Sequence, residues 1–319
     1  MKKGKVLFFY QKLYLKILEK QKTWKQEQWF PGGLRHPGKK FYIIRRSGMK
    51  LGLFSYFNTH LGRIDYAIQN NMIPVIDMQN FCNSYLEEGE LAFVNVWEKF
   101  FEQPAGYSLK DAYSARQIVL SDSGVPKAAP DDSMEFFNNK EDGLTYWQEK
   151  CKEYIRLQPD VKEAFEKEYN RLFDKNDKVL GVLARGTDYI KLRPSKHPVQ
   201  PTTEELLDKV REVFKNQECD KVFLATEDKN IAQAFLDEFG DRCVTGTKEY
   251  VEYKDGYLSE IRPEKENDRY NRALSYLINI LILAKSSCIV AGRTSGTVGA
   301  ALFTDGWEYS YFFDLGYYE

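Results

Sequence analysis

An arginine and an aspartate stand where a buried strand is predicted to end, in "KVLGVLARGTDYIKLR" (178–193). The apolar run Val179–Ala184 predicts the strand, and Arg185 and Asp188 follow it without a turn. The planar guanidinium of Arg185 is suited to phosphate oxygens. Asp188 could act as a general base, as a ribose ligand or as an ion-pair partner of Arg185. The stretch therefore predicts a ligand site that begins with these two residues.

A second apolar strand is predicted to end in polar residues before a helix, in "KVFLATED" (221–228). Ligands of open parallel sheets bind outside the carboxyl ends of the strands, so this ending and the first should line one crevice. Thr226, Glu227 and Asp228 are therefore candidate binding residues. Glu227 and Asp228 could bind ribose hydroxyls or a base edge, and Asp228 could instead cap the following helix.

A third ending, in "CIVAGRTSGTVGA" (288–300), combines small residues, hydroxyl groups and an arginine at a predicted helix start. Exposed N–H groups and the helix dipole favour a phosphate there, which makes candidates of Arg293, Thr294, Ser295 and Gly296. An N-capping serine with close-packed glycines is the alternative. Neither GxxxxGK[ST] nor GxGxxG occurs, which disfavours an ordinary P-loop kinase or NAD enzyme.

The elements that must position these residues alternate between strand and helix in both halves of the sequence, which predicts two doubly wound α/β domains. In the first half, a strand at 40–46, a glycine loop, a helix from Leu53 to Asn70 and a strand at 72–78 predict a βαβ unit. A further helix is predicted over 94–103. His60 and Arg63, on the first-half helix, could contact a sugar or an acceptor, or belong to a solvated helix face.

Composition limits the class of protein. The 319 residues include 43% apolar and 29% charged residues with a net charge of −1, typical of a globular protein and unlike a nucleic-acid binder. The five cysteines show no CxxC or metal spacing, so we expect a reducing compartment, no metal site and a cytoplasmic location.

The first 28 residues are basic, with eight lysines against Glu19 and Glu27, and interspersed leucines. A basic amphipathic helix can lie on an anionic membrane, so peripheral membrane contact through residues 1–28 is one interpretation. A packed terminal helix with a solvated lysine face is the other.

Taken together, these stretches resemble the fucosyltransferase superfamily, which includes α1,2-, α1,6- and protein O-fucosyltransferases. "GVLARGTDY" is similar to its H-x-R-R-x-D or H-x-R-x-G-x-D strand motif, and "HPVQPTTEEL" (197–206) to the segment that follows. "KVFLATED" and "INILILAKSSCIVAGRTSGTVGAAL" resemble later motifs, and "SGMKLGLFSYFNTHLGRIDYAIQNNMIPVIDMQNF" an early one. The resemblance covers most of residues 42–303, in the same order.

The resemblance implies a GT-B-like fold of two Rossmann-like doubly wound domains facing a cleft. It also implies inversion at the anomeric carbon, no cofactor and no obligatory metal. It implies that Arg185 contacts the diphosphate of GDP-fucose, and it adds His197 and Asn279 to the donor-binding candidates. Gly186 replaces a second arginine of the α1,6 enzymes, and Asn279 replaces an aspartate that helps bind nucleotide.

We therefore expect an inverting glycosyltransferase that moves a sugar, with fucose from GDP-fucose favoured, to a glycan or lipid-linked acceptor in surface polysaccharide or glycoconjugate synthesis. Another GDP- or UDP-sugar, or a non-catalytic nucleotide- or glycan-binding module, are the alternatives. Asp188 is the first base candidate and Glu227 the second. The expected organisation is a basic segment and linker (1–38), an acceptor-side domain (39–173) and a nucleotide-sugar domain (174–319).

Overall fold

The structure is a computed structural model that describes residues 27–30, 32–46, 51–139, 143–186, 192–246 and 268–319. Asp188, residues 1–26 of the basic segment and most of the charged insertion at 248–269 lie outside the described residues. Unit 1 holds the described residues up to Pro130, with Glu149–Gln158 and 268–270, and unit 2 holds the others. The chain thus passes between the two units several times.

Unit 1 contains a four-stranded sheet of order β1-β4-β2-β3. Strand β2 is parallel to both of its neighbours, and the short β1 is antiparallel to β4. The predicted βαβ unit is confirmed, because helix α1 connects β2 to the parallel β3. The elements of this sheet and its helices are β1 (Gln28–Trp29), β2 (Arg35–Arg45), α1 (Leu53–Gln69), β3 (Ile73–Asp77), α2 (Leu109–Ser114) and β4 (Ala115–Leu120).

The helix predicted over residues 94–103 is wrong, because only the 3-10 turn Val96–Lys99 forms there. The rings of Trp97, Phe100 and Phe101 are all buried, whereas Glu98 and Glu102 are exposed. The main chain instead pairs with a distant segment, since the amide of Glu102 donates to the carbonyl of Arg156 at 2.9 Å. These long-range contacts override the local helical pattern.

Unit 2 contains a five-stranded sheet of order β7-β6-β5-β8-β9, in which every pair of neighbours is parallel. The strands are β5 (Val179–Ala184), β6 (Lys221–Thr226), β7 (Cys243–Thr245), β8 (Cys288–Ala291) and β9 (Tyr309–Phe312). The helices that accompany this sheet are α3 (Met134–Asn138), α4 (Leu144–Tyr154), α5 (Pro159–Leu172), α6 (Thr203–Asn216), α7 (Lys229–Phe239), α8 (Asp268–Lys285) and α9 (Ser295–Phe303). Two of these helices, α4 and α8, extend into unit 1.

Helices cover both faces of this sheet. On one face, α6 and α7 pack residues such as Val210 and Phe235 against Val182 and its neighbours. On the other face, Gly181 lies against Leu283 of α8, since alternate residues of a strand point to opposite sides. The arrangement is the doubly wound α/β form predicted for this half. Among the described helices, none is long and apolar enough to cross a bilayer.

Candidate functional site

The candidate site lies at the carboxyl edge of the unit 2 sheet, between the neighbouring strands β5 and β8. From β5 the chain proceeds through α6 to β6 on one side, and it later returns through α8 to β8 on the other side. This reversal of strand order is a topological switch point, where open α/β sheets bind ligands. Leu183 pairs with Ala291, so the residues after both strands emerge side by side.

The loop after β8 presents unused main-chain donors at the start of α9. Thr294 caps the helix, because its hydroxyl accepts from the amide of Thr297 at 3.2 Å. The hydroxyl of Thr297 in turn donates to the carbonyl of Gly292 at 2.5 Å. Within the described part of the chain, the amides of Thr294 and Gly296 donate to no acceptor. Such amides, together with the dipole of α9, favour an anion.

Arg185 faces Glu227 across the ends of two paired strands. Ala184 and Thr226 are partners in the register of β5 and β6, so the residues that follow them lie opposite each other. Nε of Arg185 lies 3.5 Å from Oε1 of Glu227. The arginine side chain is 27% exposed and the glutamate side chain 10%. The pair thus places a half-buried positive group and a buried negative group at the carboxyl edge of the sheet.

Asp228 and Ile231 fill the space beside Gly186, the residue that follows Arg185. A Cβ atom at Gly186 would lie 2.7 Å from Oδ2 of Asp228 and 2.9 Å from Cδ1 of Ile231. Asp228 is fixed there because its Oδ1 accepts from the amides of Asn230 and Ile231 and caps α7. Of the two roles expected for Asp228, the structure therefore contains the capping role.

Asn279 lies at the same edge of the sheet, beside β7. It is 3% exposed, and a Cβ atom at Gly246, just after β7, would be 2.2 Å from its Oδ1. The asparagine also lines a cavity of about 180 Å³ between α5 and α8, together with Lys167, Glu168 and Ser275. Whole-ligand pockets usually exceed roughly 300 Å³, so this cavity could take only part of a nucleotide.

The sequence matches no model of a known protein family and no curated protein. The chain is similar to fucosyltransferases of known structure. NodZ α1,6-fucosyltransferase from Bradyrhizobium, soaked with GDP-fucose, shares 16% identity over 83% of this chain and 93% of that chain, with a TM-score of 0.49. POFUT1 in complex with GDP shares 13% identity over 88% and 75% of the two chains, with a TM-score of 0.39. A mutant of Arabidopsis thaliana FUT1 in complex with GDP shares 10% identity over 87% and 71%, with a TM-score of 0.46.

Arg293, which the sequence predicts as a donor-binding residue, makes its contacts with the C-terminal segment of the chain. Its side chain is buried, and Nη2 lies 3.0 Å from Oδ1 of Asp314. The guanidinium also donates to the carbonyl of Gly316 and to the hydroxyl of Tyr317. Ser295, by contrast, is half-buried in the first turn of α9, where the sequence predicts contact with phosphate.

His197 is exposed, and its main chain is paired with the C-terminal segment. The carbonyl of His197 accepts from the amide of Tyr318 at 2.9 Å, and its own amide donates to the carbonyl of Pro194 at 3.1 Å. Burial raises the pKa of the nearby Asp132 carboxyl, while His197 and Arg293 act in the opposite direction. Asp132 was not predicted as a site residue, because nothing in its local sequence links it to His197 and Arg293, which follow 65 and 161 residues later.

His60 and Arg63 lie in unit 1 and are both buried, so the alternative of a solvated helix face is wrong. Neither side chain presents the exposed surface that the predicted contact with a sugar or acceptor requires. His60 is 0% exposed, with its ring 5.6 Å from that of Trp97. Arg63 forms an ion pair with Asp122 at 2.5 Å. Sequence periodicity cannot reveal that distant segments cover this face of α1.

Two further residues at the site were missed. Gln200 is buried, and its Nε2 donates to the carbonyl of Arg293 at 3.0 Å. A Cβ atom at Gly296 would lie 2.2 Å from the hydroxyl oxygen of Tyr276, which places that hydroxyl over the first turn of α9. Thr226 is buried and accepts from the amide of Asp228 at 3.2 Å.

No group of three or more His, Cys, Asp or Glu side chains in the described ranges could hold a metal ion.

Proposed function

We propose that this protein is an inverting glycosyltransferase that transfers a sugar, with fucose from GDP-fucose favoured, to a hydroxyl of a glycan. The observation that carries the proposal is the placement of Arg185 and the amide-bearing start of α9 side by side at the switch point of the unit 2 sheet. The ordered motifs of the sequence support the same donor. The acceptor would belong to a surface polysaccharide or glycoconjugate.

The charge distribution at this edge suits a leaving diphosphate. When the bond between the anomeric carbon and the phosphate oxygen breaks, the electron pair passes to the diphosphate. The guanidinium of Arg185 and the first-turn amides of α9 would stabilise this charge, and such stabilisation is usually the largest contribution to catalysis. The acceptor oxygen would attack the opposite face of the anomeric carbon, which inverts its configuration.

A carboxylate must take the proton of the attacking hydroxyl. Asp188 lies outside the described residues, and Oε1 of Glu227 lies 3.5 Å from Nε of Arg185. Both remain base candidates, since each follows a strand at the proposed site. A base must come within hydrogen-bonding reach of the acceptor hydroxyl, roughly 2.6–3.2 Å between heavy atoms.

The nucleoside end of the donor would lie toward β7. Asn279 lines the cavity between α5 and α8 at that side of the same sheet edge. The carbonyl and amide of an asparagine can both bond the edge of a base. The order β7-β6-β5-β8 would thus spread base, ribose and diphosphate along one edge.

Substitution of Arg185 tests the proposal. Arg185→Ala should reduce turnover of GDP-fucose by about 100-fold or more, measured as GDP release with and without glycan acceptors. Arg211→Ala is the matched control, because this arginine is 44% exposed and pairs with Glu238 far from the switch point. Turnover that survives Arg185→Ala would contradict the diphosphate role. Turnover of a UDP-sugar alone would favour the alternative donor, and nucleotide binding without turnover would favour the binding module.

The basic segment adds a separate proposal, which concerns residues outside the described part. If residues 1–28 contact a membrane surface, their deletion should weaken binding to vesicles that contain anionic lipid. Turnover on a soluble acceptor should be unchanged. Equal vesicle binding before and after the deletion would reject membrane contact.

A further inference from the structure

The C-terminal segment Asp314–Tyr318 holds the loop that begins α9. Arg293, in that loop, is 1% exposed and directs its guanidinium toward this segment. It pairs with Asp314 at 3.0 Å and donates to the carbonyl of Gly316 at 3.3 Å. The guanidinium carbon also lies 4.9 Å from the ring centroid of Tyr317. This buried arginine therefore links the loop before α9 to the C-terminal segment.

The same C-terminal segment is paired with the chain just before α6. The amide of Lys196 donates to the carbonyl of Tyr318 at 2.9 Å, and the amide of Val199 donates to the carbonyl of Gly316 at 3.0 Å. Pro198 and Tyr317 form an isolated bridge between the two segments. The segment is therefore fixed on both sides.

Gln200 links the chain just before α6 to the loop that begins α9. Its Nε2 donates to the carbonyls of Pro198 and Arg293, both at 3.0 Å. The hydroxyl of Thr297 donates to the carbonyl of Gly292, so two successive carbonyls of the loop, those of Gly292 and Arg293, accept hydrogen bonds from side chains. Because a peptide group is planar, a hydrogen bond that fixes its carbonyl also fixes the direction of its amide, which belongs to the next residue. The amides of Arg293 and Thr294 are thus oriented by contacts remote from any ligand.

We propose that Arg293 is a positioning residue for the anion site at the start of α9. It acts by locking the loop Gly292–Thr294 to the C-terminal segment, and it does not touch the ligand. The inference rests on the proposed function, because it assumes that the first-turn amides of α9 bind the donor diphosphate. Donors that are held in place before binding cost no ordering when the anion arrives, so loosening the lock should weaken binding.

Two variants loosen the lock without touching the proposed ligand contacts. Asp314→Asn removes the carboxylate that pairs with Arg293, and Tyr317→Phe removes its hydroxyl partner. Glu308→Gln is the matched control, because Glu308 pairs with Lys178 at 2.8 Å near the amino end of the same sheet. Asp314→Glu keeps the charge and should restore most of the affinity.

The experiment is calorimetric titration of each variant with GDP, well below its unfolding midpoint, alongside scanning calorimetry. We expect Asp314→Asn to raise the Kd for GDP by about tenfold while the midpoint falls by no more than about 4 °C. Glu308→Gln should leave the Kd unchanged at a comparable midpoint.

Wild-type affinity in both Asp314→Asn and Tyr317→Phe, together with loss of binding in Arg185→Ala, would overturn the positioning role and leave the proposed function standing. A similar rise in Kd for Glu308→Gln would also overturn the role, because general loss of stability would then explain it. Absence of GDP binding by the wild-type chain would overturn the proposed function and the positioning role together.

Discussion

Nε of Arg185 lies 3.5 Å from Oε1 of Glu227, across the carboxyl ends of the paired strands β5 and β6. The carboxylate of Glu227 is therefore close to the guanidinium that is proposed to bind the diphosphate, and its negative charge would repel that diphosphate. Glu227→Gln keeps the shape of the side chain and removes its charge. We expect GDP to bind about threefold more tightly, because the repulsion between the carboxylate and the diphosphate is removed.

Titration calorimetry of this variant against wild type checks the prediction, with Glu238→Gln as a control at a remote ion pair with Arg211. Weaker binding of GDP by Glu227→Gln would contradict this account and assign Glu227 to direct contact with ribose hydroxyls.

Gly296 admits the hydroxyl of Tyr276 to the first turn of α9. In Gly296→Ala, the added methyl group would lie 2.2 Å from that oxygen and 3.3 Å from Cδ1 of Ile280, so the helix start or the tyrosine must move. We expect a loss of about 1–3 kcal/mol in the free energy of unfolding. We also expect GDP affinity to fall about tenfold, because the first-turn amides are displaced.

The double variant Gly296→Ala/Tyr276→Phe removes the colliding oxygen and should recover part of the lost stability, as measured by denaturant unfolding. If the two substitutions prove additive, the contact between Gly296 and Tyr276 does not limit this position.

His60 makes unit 1 sensitive to acid. Burial, with smaller contributions from the positive charges of Arg46 and Arg63, lowers the pKa of His60 to about 3. The ordinary pKa of histidine is about 6.5, so between about pH 3 and pH 6.5 His60 is protonated in the unfolded chain and neutral in the folded chain. The stability contributed by the neutral ring is present above pH 6.5 and is lost as the pH falls toward 3.

His60→Phe should remove this dependence, because a phenyl ring suits the contacts with Trp97 and Tyr56 and carries no proton. Between pH 7 and pH 5, wild type should lose about 2 kcal/mol more stability than the variant. Scanning calorimetry at both pH values checks this, and equal losses in the two proteins would contradict the burial of a neutral His60.

Much of unit 2 could be predicted because its strands are short apolar runs that stop at polar or glycine residues. The predicted bounds of β5 agree with the structure, and β6 lies within the predicted stretch 221–228. In a parallel sheet, strand endings fix which residues share an edge, so Arg185 and Thr294 could be brought together from sequence. The helix cap at Asp228 also follows from local chemistry, whereas the cap of α9 is Thr294 and not the serine that the sequence suggested.

The direction of a side chain could not be predicted where its partner is distant in sequence. Arg293 has the residue type of a phosphate ligand, but Asp314, 21 positions later, draws it into a buried ion pair. His60 was expected on a solvated face or against a substrate, but the ring of Trp97 lies against it. Such contacts depend on tertiary packing, which no local pattern encodes.

The most direct test of the central claim is calorimetric titration of the wild-type protein with GDP, UDP and CMP, with and without EDTA. The account predicts selective binding of GDP that EDTA does not change, because Arg185 and the amides of α9 supply the diphosphate contacts. Absence of nucleotide binding, or tight binding of UDP in place of GDP, would contradict it.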